Sequence, residues 1–394
     1  MKKYLELFRN RDFLLLWSGF TVSQLGDGLT WVALLWFVLE LTGSTEAMGL
    51  LLFFYTAPTI IGGLVAGVLL DCFDRRLVML IDNLIRGLAM FSVPVLFHLG
   101  LLQLWHVYLV AGIFGSLMML SLAGGPALVP SLVKKDHLPT ANALESVSWG
   151  LSDIVGRTLA GLLIGVIGSA NLLFIDAASY GVLVLCLLGM RVPRDAGVAR
   201  AGTRKVGEKE ESVGARKAPP RKVSISEGFR FILHTPIIFS ITWLFMIVNL
   251  GEGAYGVLLP LYSKEILHEG AKGFGLLMAS LSMGELASSV ILGAINWRYP
   301  LGRSISTSLL LAGASFLLLL FTPSLLLAQL ALVISGGFAA TVNIWAQTVR
   351  MRLIPVELRG RVFSILRTII RSTLPLSGAI AGLALPRVGT WRMI

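Results

Sequence analysis

The chain has 394 residues, of which 55% are hydrophobic and only 14% charged, with a formal net charge of +11 and a mean hydropathy of +0.80. Soluble domains average about 25% charged residues, so this composition excludes a water-soluble enzyme or binding module and describes a polytopic membrane protein. The positive charge sits in the gaps between apolar runs, which points to anionic lipid and away from nucleic acid.

Eleven apolar stretches follow one another, over about 13–39, 47–70, 77–97, 104–129, 144–168, 171–190, 237–260, 273–295, 304–321, 325–348 and 362–385. A helix of about 20 such residues crosses roughly 30 Å of hydrocarbon, so each predicts one membrane span and the whole predicts an all-α protein. The first run is too long for a cleavable signal and lacks a small-residue cleavage site, so it is expected to stay as the first span. Basic residues fall in alternate gaps, and 25 of the 33 lie on one side. By the positive-inside rule that side is cytoplasmic, which places the amino terminus in the cytoplasm. Cys72 and Cys186 have no metal-ligand spacing and read as reduced.

One long polar segment, 192–236, interrupts the apolar runs with charge, Gly and Pro. It reads as a basic cytoplasmic linker between an amino-terminal six-helix bundle, 1–191, and a carboxy-terminal bundle, 237–394, with a short amphipathic helix expected near Ile225–Leu233. The two halves repeat. Leu25-Gly26-Asp27-Gly28 in the first span recurs as Leu250-Gly251-Glu252-Gly253 in the seventh, and the same offset carries Asp71 onto Asn296. A parallel repeat of six-helix halves is a secondary-transporter layout.

The loop after the second span reads Gly67-Val-Leu-Leu-Asp71-Cys72-Phe-Asp74-Arg75-Arg76, and the loop before the eleventh reads Pro355-Val-Glu357-Leu358-Arg359-Gly360-Arg361-Val362-Phe363. On these residues the chain resembles the major facilitator superfamily, specifically bacterial exporters of the macrolide-efflux and enterobactin-exporter type. The family pattern in the first loop is G-x-x-x-D-R-x-G-R-R/K, from which this chain departs at Cys72 and Asp74. The resemblance implies a cytoplasmic gate motif of Gly67, Asp71, Asp74, Arg75 and Arg76, in which an ion-pair latch breaks as the halves rock; setting topology is the plainer role for Arg75 and Arg76. Two family features of proton-linked exporters are absent from the sequence. The fourth span has no Arg, and the fifth reads Gly156-Arg157-Thr-Leu-Ala160-Gly161 where G-P-x-x-G-G is usual.

Ionisable residues deep in lipid cost roughly 2.5–3.5 kcal/mol each on insertion scales and need a partner, a watery cavity or a function. Asp27 and Glu252, at equivalent glycine-flanked positions, are candidates for proton coupling or substrate contact; capping exposed backbone or pairing with Arg371 is the alternative. Glu285, Asp153, Arg157 and Arg371 join that candidate set, although Asp153 and Arg157 could equally neutralise each other as an i, i+4 pair. Asp82 and Arg86 have the same spacing and read as support for the cytoplasmic loop, and Asp176 reads as structural. Gln24, Asn249, Asn343 and Gln347 could line a cavity or simply bond between helices, and Trp31, Trp36, Phe54 and Tyr55 could stack on substrate or pack in the core.

These readings lead to a proton-coupled efflux transporter of an amphipathic small molecule, a drug, antibiotic or siderophore, working as a monomer in the bilayer by alternating access. The alternatives are a proton-coupled importer or facilitator of a small metabolite, or a non-transporting scaffold or sensor. The sequence contains no phosphate-binding loop, no clustered nucleophile and base, and no metal-ligand spacing among its five histidines, so no enzyme, metal or cofactor is expected. The superfamily layout calls for a twelfth span, and the nine residues after Leu385 are too few to make one. The expectation is a recognisable major facilitator fold of eleven spans with reduced stability.

Overall fold

The computed structural model describes residues 2–191, 225–294, 300–321, 324–355 and 358–388, and these are helical with no strand among them. A short α1 (Lys2–Arg9) precedes α2 (Arg11–Thr42), α3 (Thr45–Cys72), α4 (Arg75–His98), α5 (Leu104–Leu132), α6 (Leu138–Ile167) and α7 (Ser169–Gly189). After the polar segment come α8 (Ile225–His234), α9 (Pro236–Leu261), α10 (Gly270–Ala294), α11 (Leu301–Leu317), α12 (Leu325–Leu353), α13 (Arg359–Arg371) and α14 (Thr373–Val388). Among the described residues eleven spans are long and apolar enough to cross a membrane: α2–α7, α9–α12, and α13 joined to α14 over Ile365–Arg387. The expected linker falls largely outside the described residues, but its amphipathic end is present as α8, which packs on α9 and α13 with Ile232 buried.

Local chemistry sets the helix ends. Asn10 precedes α2, and its side chain accepts from the backbone N–H groups of Asp12 and Phe13 at 3.2 Å while donating to the Leu132 carbonyl at 2.6 Å, which ties the start of α2 to the end of α5. Gly43 takes a left-handed φ of +62° to turn the chain out of α2, and Ser44 then caps α3. At the opposite end Asp74 caps α4 through Leu77 N–H at 2.9 Å.

In the amino-terminal half α2 packs along α6 and α7, α3 along α5, and α4 along α5 and α7; in the other half α10 packs along α12 and α9 along α14. Two helix pairs make most of the contact between the halves, α3 with α14 and α6 with α10. Both meet through glycine. A Cβ on Gly161 would come within 2.7 Å of Gly275 Cα, and one on Gly49 within 2.5 Å of the Gly378 carbonyl oxygen. Such contacts let backbones approach closely where lipid offers no hydrophobic drive between helices. Thr45 adds a cross-half hydrogen bond to the Gly382 carbonyl at 3.0 Å, and Trp36 stacks on Phe274.

The buried cores show which end is closed. One cluster combines Leu34, Leu35, Met48 and Leu51 with Val257, Leu259, Phe274 and Leu277, and so runs through both halves. At the end that carries Arg11, Arg75 and Arg76, here the basic end, the cores are separate. One draws on residues 7–190 (Leu7, Phe13, Leu16, Met79, Leu187), the other on residues 232–370 (Ile238, Phe245, Trp345, Ile354, Leu366). The apolar core is therefore shut at the far end and split between the halves at the basic end.

A buried polar cluster stiffens the amino-terminal half. Arg86 bonds Asp82 at 3.0 and 3.2 Å, Asn83 at 3.0 Å and Ser121 at 2.9 Å, and its guanidinium lies 4.7 Å from the Tyr180 ring centroid and 5.4 Å from that of Phe114. Asp82 and Arg86 are 1% and 2% exposed, so the i, i+4 pair read as support for the cytoplasmic loop is formed deep within the bundle. Arg86 lies eleven residues beyond Arg75, about 16 Å up the helix, and the pair ties α4 to α5 and α7 in the bilayer interior.

Two outcomes follow from this packing. Replacing Arg86 with Met strands a buried Asp82 and is expected to cost about 3–5 kcal/mol, while Asp82→Asn with Arg86→Met recovers part of it. Thermal unfolding in detergent tests this, and equal Tm values for wild type and Arg86→Met would contradict it. Gly161→Leu is expected to force α6 off α10 and lengthen the distance between spin labels at Thr42 and Lys264 beside the closed end; an unchanged distance distribution would contradict that.

Candidate transport site

The cross-half contact of α6 with α10 carries charge. Arg157 bonds Asp153 one turn earlier on α6, with both Nε and Nη2 at 2.9 Å, so the i, i+4 pair read from the sequence is formed. Its members are only 22% and 26% exposed in their side chains. The other Asp153 oxygen accepts from Ser282 Oγ of α10 at 3.0 Å, so this ion pair also bridges the two halves. Glu285 follows Ser282 by one turn and, with Glu252 on α9, lies within electrostatic range of Arg157. Both glutamates are solvent-exposed. Tyr255, one turn beyond Glu252, faces Glu252, Glu285, Asp153 and Arg157. Arg371, at the end of α13, acts on Glu252 from the basic-end side, with Arg367 beside it.

Five of the six charged candidates are thus brought together at the junction of α6, α9, α10 and α13. Asp27 is not. Its carboxylate accepts a hydrogen bond from the Tyr180 hydroxyl of α7, and the Arg86 cluster stands behind Tyr180. Asp176, also on α7, accepts from Thr30 at 2.5 Å and from Ser179 at 3.3 Å, and is fully buried against α2. Neither Asp27 nor Glu252 forms an ion pair with Arg371 among the described residues.

The equivalence of Asp27 and Glu252 in sequence is therefore not an equivalence in surroundings, and the reason is α7. Gly26 lies so close to α7 that a Cβ would meet Ser179 Oγ at 2.2 Å and Asp176 Oδ1 at 2.3 Å, whereas Gly251 at the matching position has nothing within 4 Å. Among the described residues no helix covers that face of α9 as α7 covers α2, and Trp243, Ile247 and Leu250 along it are exposed.

The neutral candidates separate. Asn249 donates to the Ile370 carbonyl at 2.8 Å and holds α9 to α13. Asn343 and Gln347 are exposed on one face of α12, and Asn343 bonds its own helix at Ala339. Gln24 lines a pocket between α2, α5 and α6. Trp31 packs edge-on to Tyr55 at 5.2 Å toward the closed end, and Phe54 stacks on Tyr108.

In the loop motif, Arg75 donates to the Ala127 carbonyl of α5 at 2.8 Å, and Arg76 donates to the carbonyls of Leu187 and Leu188 at 2.6 and 2.9 Å. These cations close the carboxy-terminal turns of neighbouring helices, where the helix dipole favours positive charge. Gly67 is exposed with open space around it. The side chains of Asp71, Arg359 and Arg361, and Glu357 altogether, lie outside the described residues.

Sequence reasoning did not connect Tyr180 or Arg86 to Asp27, and it passed over Tyr255 and Glu145. Helical depth was the available signal for Arg86. For Tyr180, 153 residues from Asp27 along the chain, there was none.

The comparisons with known proteins fit this architecture. At 27% identity over 386 residues the chain is similar to the uncharacterized MFS-type transporter YfiS of Bacillus subtilis (strain 168), covering 94% of this chain and 87% of that one. At 26% identity it is similar to the multidrug efflux pump Tap of Mycolicibacterium fortuitum, covering 94% and 88%. Among solved structures, the nucleoside transporter NupG shares the fold with a TM-score of 0.76 at 13% identity, over 97% of this chain and 94% of that one. The sequence profile of the Major Facilitator Superfamily matches residues 16–394, and the chain belongs to that family of multi-pass membrane transporters.

Proposed function

We propose that the chain is a proton-coupled exporter of amphipathic small molecules, driven through alternating access by the charged cluster around Arg157. The observation that carries this reading is that one guanidinium, at the contact of the two halves, serves three carboxyl groups on three helices. Asp153 holds it directly. Glu285 has that already engaged cation and two like charges, Glu252 and Asp153, within electrostatic range. A proton arriving at Glu285 or Glu252 removes a repulsion across the interface; a proton leaving restores it. Because the two halves touch here, that change acts on the equilibrium between openings. Asp27, anchored by Tyr180, is the companion site within the amino-terminal half.

In this reading the split end, which carries the basic loops, faces the cytoplasm with the amino terminus, an orientation that the positive-inside rule supports. Loading from the cytoplasm suits export from a bacterial inner membrane, and similarity to the multidrug efflux pump Tap supports that direction. In this reading the chain works as a monomer of two membrane units, 1–191 and 237–394, joined by the basic segment 192–236. Asp71, Asp74, Arg75 and Arg76 form the cytoplasmic gate, and Asn343 and Gln347 supply polar wall to a cavity.

The test is uptake of a lipophilic dye into everted membrane vesicles with an acid interior. Wild type is expected to concentrate the dye. Glu252→Gln, Glu285→Gln and Asp27→Asn are each expected to lower the initial rate at least about tenfold, roughly 1.4 kcal/mol in the coupled step, while leaving downhill equilibration in place. Accumulation by wild type only with an alkaline interior would overturn export, and variants that concentrate the dye normally would overturn the coupling assignment.

A further inference from the structure

Below Asp27, toward the split end, side chains of α2, α5 and α6 line a pocket that is partly open to its surroundings. Its wall is aromatic on α2 and acidic on α6. The Trp17 indole N–H donates to Ser148 Oγ at 2.8 Å, and its ring packs edge-on against Phe8 at 5.4 Å, so one large flat side chain is held in a fixed orientation. Phe20 lies against Gly125, where a Cβ would come within 2.9 Å of the ring, and Gln24 forms the upper rim one turn before Asp27.

Glu145 completes the wall. It is half-buried, and among the described residues it has neither an ion pair nor a hydrogen-bond partner. The other carboxyl groups of the membrane interior described above are held by a hydroxyl or faced by a guanidinium. A half-buried carboxylate in an aromatic wall lacks the compensation that a buried charge needs, and the missing charge is positive. Aromatic faces attract the same kind of group, because their ring quadrupole favours organic cations with apolar substituents.

Resting on the transport reading above, we propose that this pocket is the entry subsite for amphipathic organic cations, with Glu145 as counter-charge and Trp17 and Phe20 as stacking faces. The cation enters from the split end, seats against Glu145, and lies one turn short of the depth of Asp27. The substrate class is thereby narrowed to molecules that join a positive charge to apolar or aromatic bulk. Neutral amphiphiles fit the same walls without the charge contact.

Equilibrium dialysis of the detergent-purified full chain tests this, with tetraphenylphosphonium as the cationic probe and triphenylphosphine oxide as the neutral one. Glu145→Gln is expected to weaken phosphonium binding at least about tenfold and leave the oxide unchanged, as befits loss of a close charge contact. Phe20→Ala is expected to weaken both. Should Glu145→Gln not elute as a monodisperse species, Gln24→Lys places a positive charge on the same rim and is expected to weaken the phosphonium alone. The proposal is overturned if wild type does not bind the phosphonium, if Glu145→Gln binds it as wild type does, if Glu145→Gln weakens both probes equally, or if Gln24→Lys leaves the phosphonium affinity unchanged. Binding is read without a proton gradient. Failure of coupled transport therefore leaves this result standing, and normal transport with Glu145-independent binding removes the subsite alone.

Discussion

Arg157 is the constraint around which the rest of the molecule is arranged. A guanidinium inside a bilayer must be paired, and its partner Asp153 lies on the same helix, one turn away. That pair would be self-contained if Asp153 did not also accept from Ser282 in the other half. The bond turns a local ion pair into a connection between halves, and it brings Glu285 and Glu252 within range of one cation. Close approach of α6 and α10 is what makes this possible. Gly161 and Gly275 meet backbone to backbone one to two turns above the charges, where any larger side chain would hold the helices apart.

The two halves divide the work unequally. In the amino-terminal half, α7 seals α2 and supplies Asp176, Ser179 and Tyr180, so the acid on α2 is held inside a hydrogen-bonded core braced by Arg86 and Asp82. In the carboxy-terminal half, the acid on α9 is exposed, within electrostatic range of Arg157 and Arg371. The closed end is built from large apolar side chains and close glycine contacts.

The spans and the helical class were legible because hydrophobic length is a local property, and the bilayer imposes it on every crossing helix. The Asp153–Arg157 pair was legible for the same reason, since i, i+4 spacing fixes a face of a helix. The amphipathic end of the linker, read near Ile225–Leu233, is present as α8. What the sequence hid depends on contacts between distant helices. Tyr180 reaching Asp27 and Ser282 reaching Asp153 cross 153 and 129 residues, and no spacing rule reports them. The Asp82–Arg86 pair was legible by the same i, i+4 spacing, but its partners Ser121 and Tyr180, on α5 and α7, were not. The internal repeat made Asp27 and Glu252 look alike, whereas the neighbour that distinguishes them, α7, lies elsewhere in the chain.

The central claim is that the carboxyl groups sharing Arg157 exchange a proton for substrate. Proton release by the purified protein in lightly buffered detergent, followed with a pH indicator as a transported dye is added, addresses it directly. The account expects protons to appear on dye binding, and expects the release to vanish when Glu252 and Glu285 are both replaced by Gln. Dye binding with no release, or release undiminished in the doubly substituted protein, would contradict it.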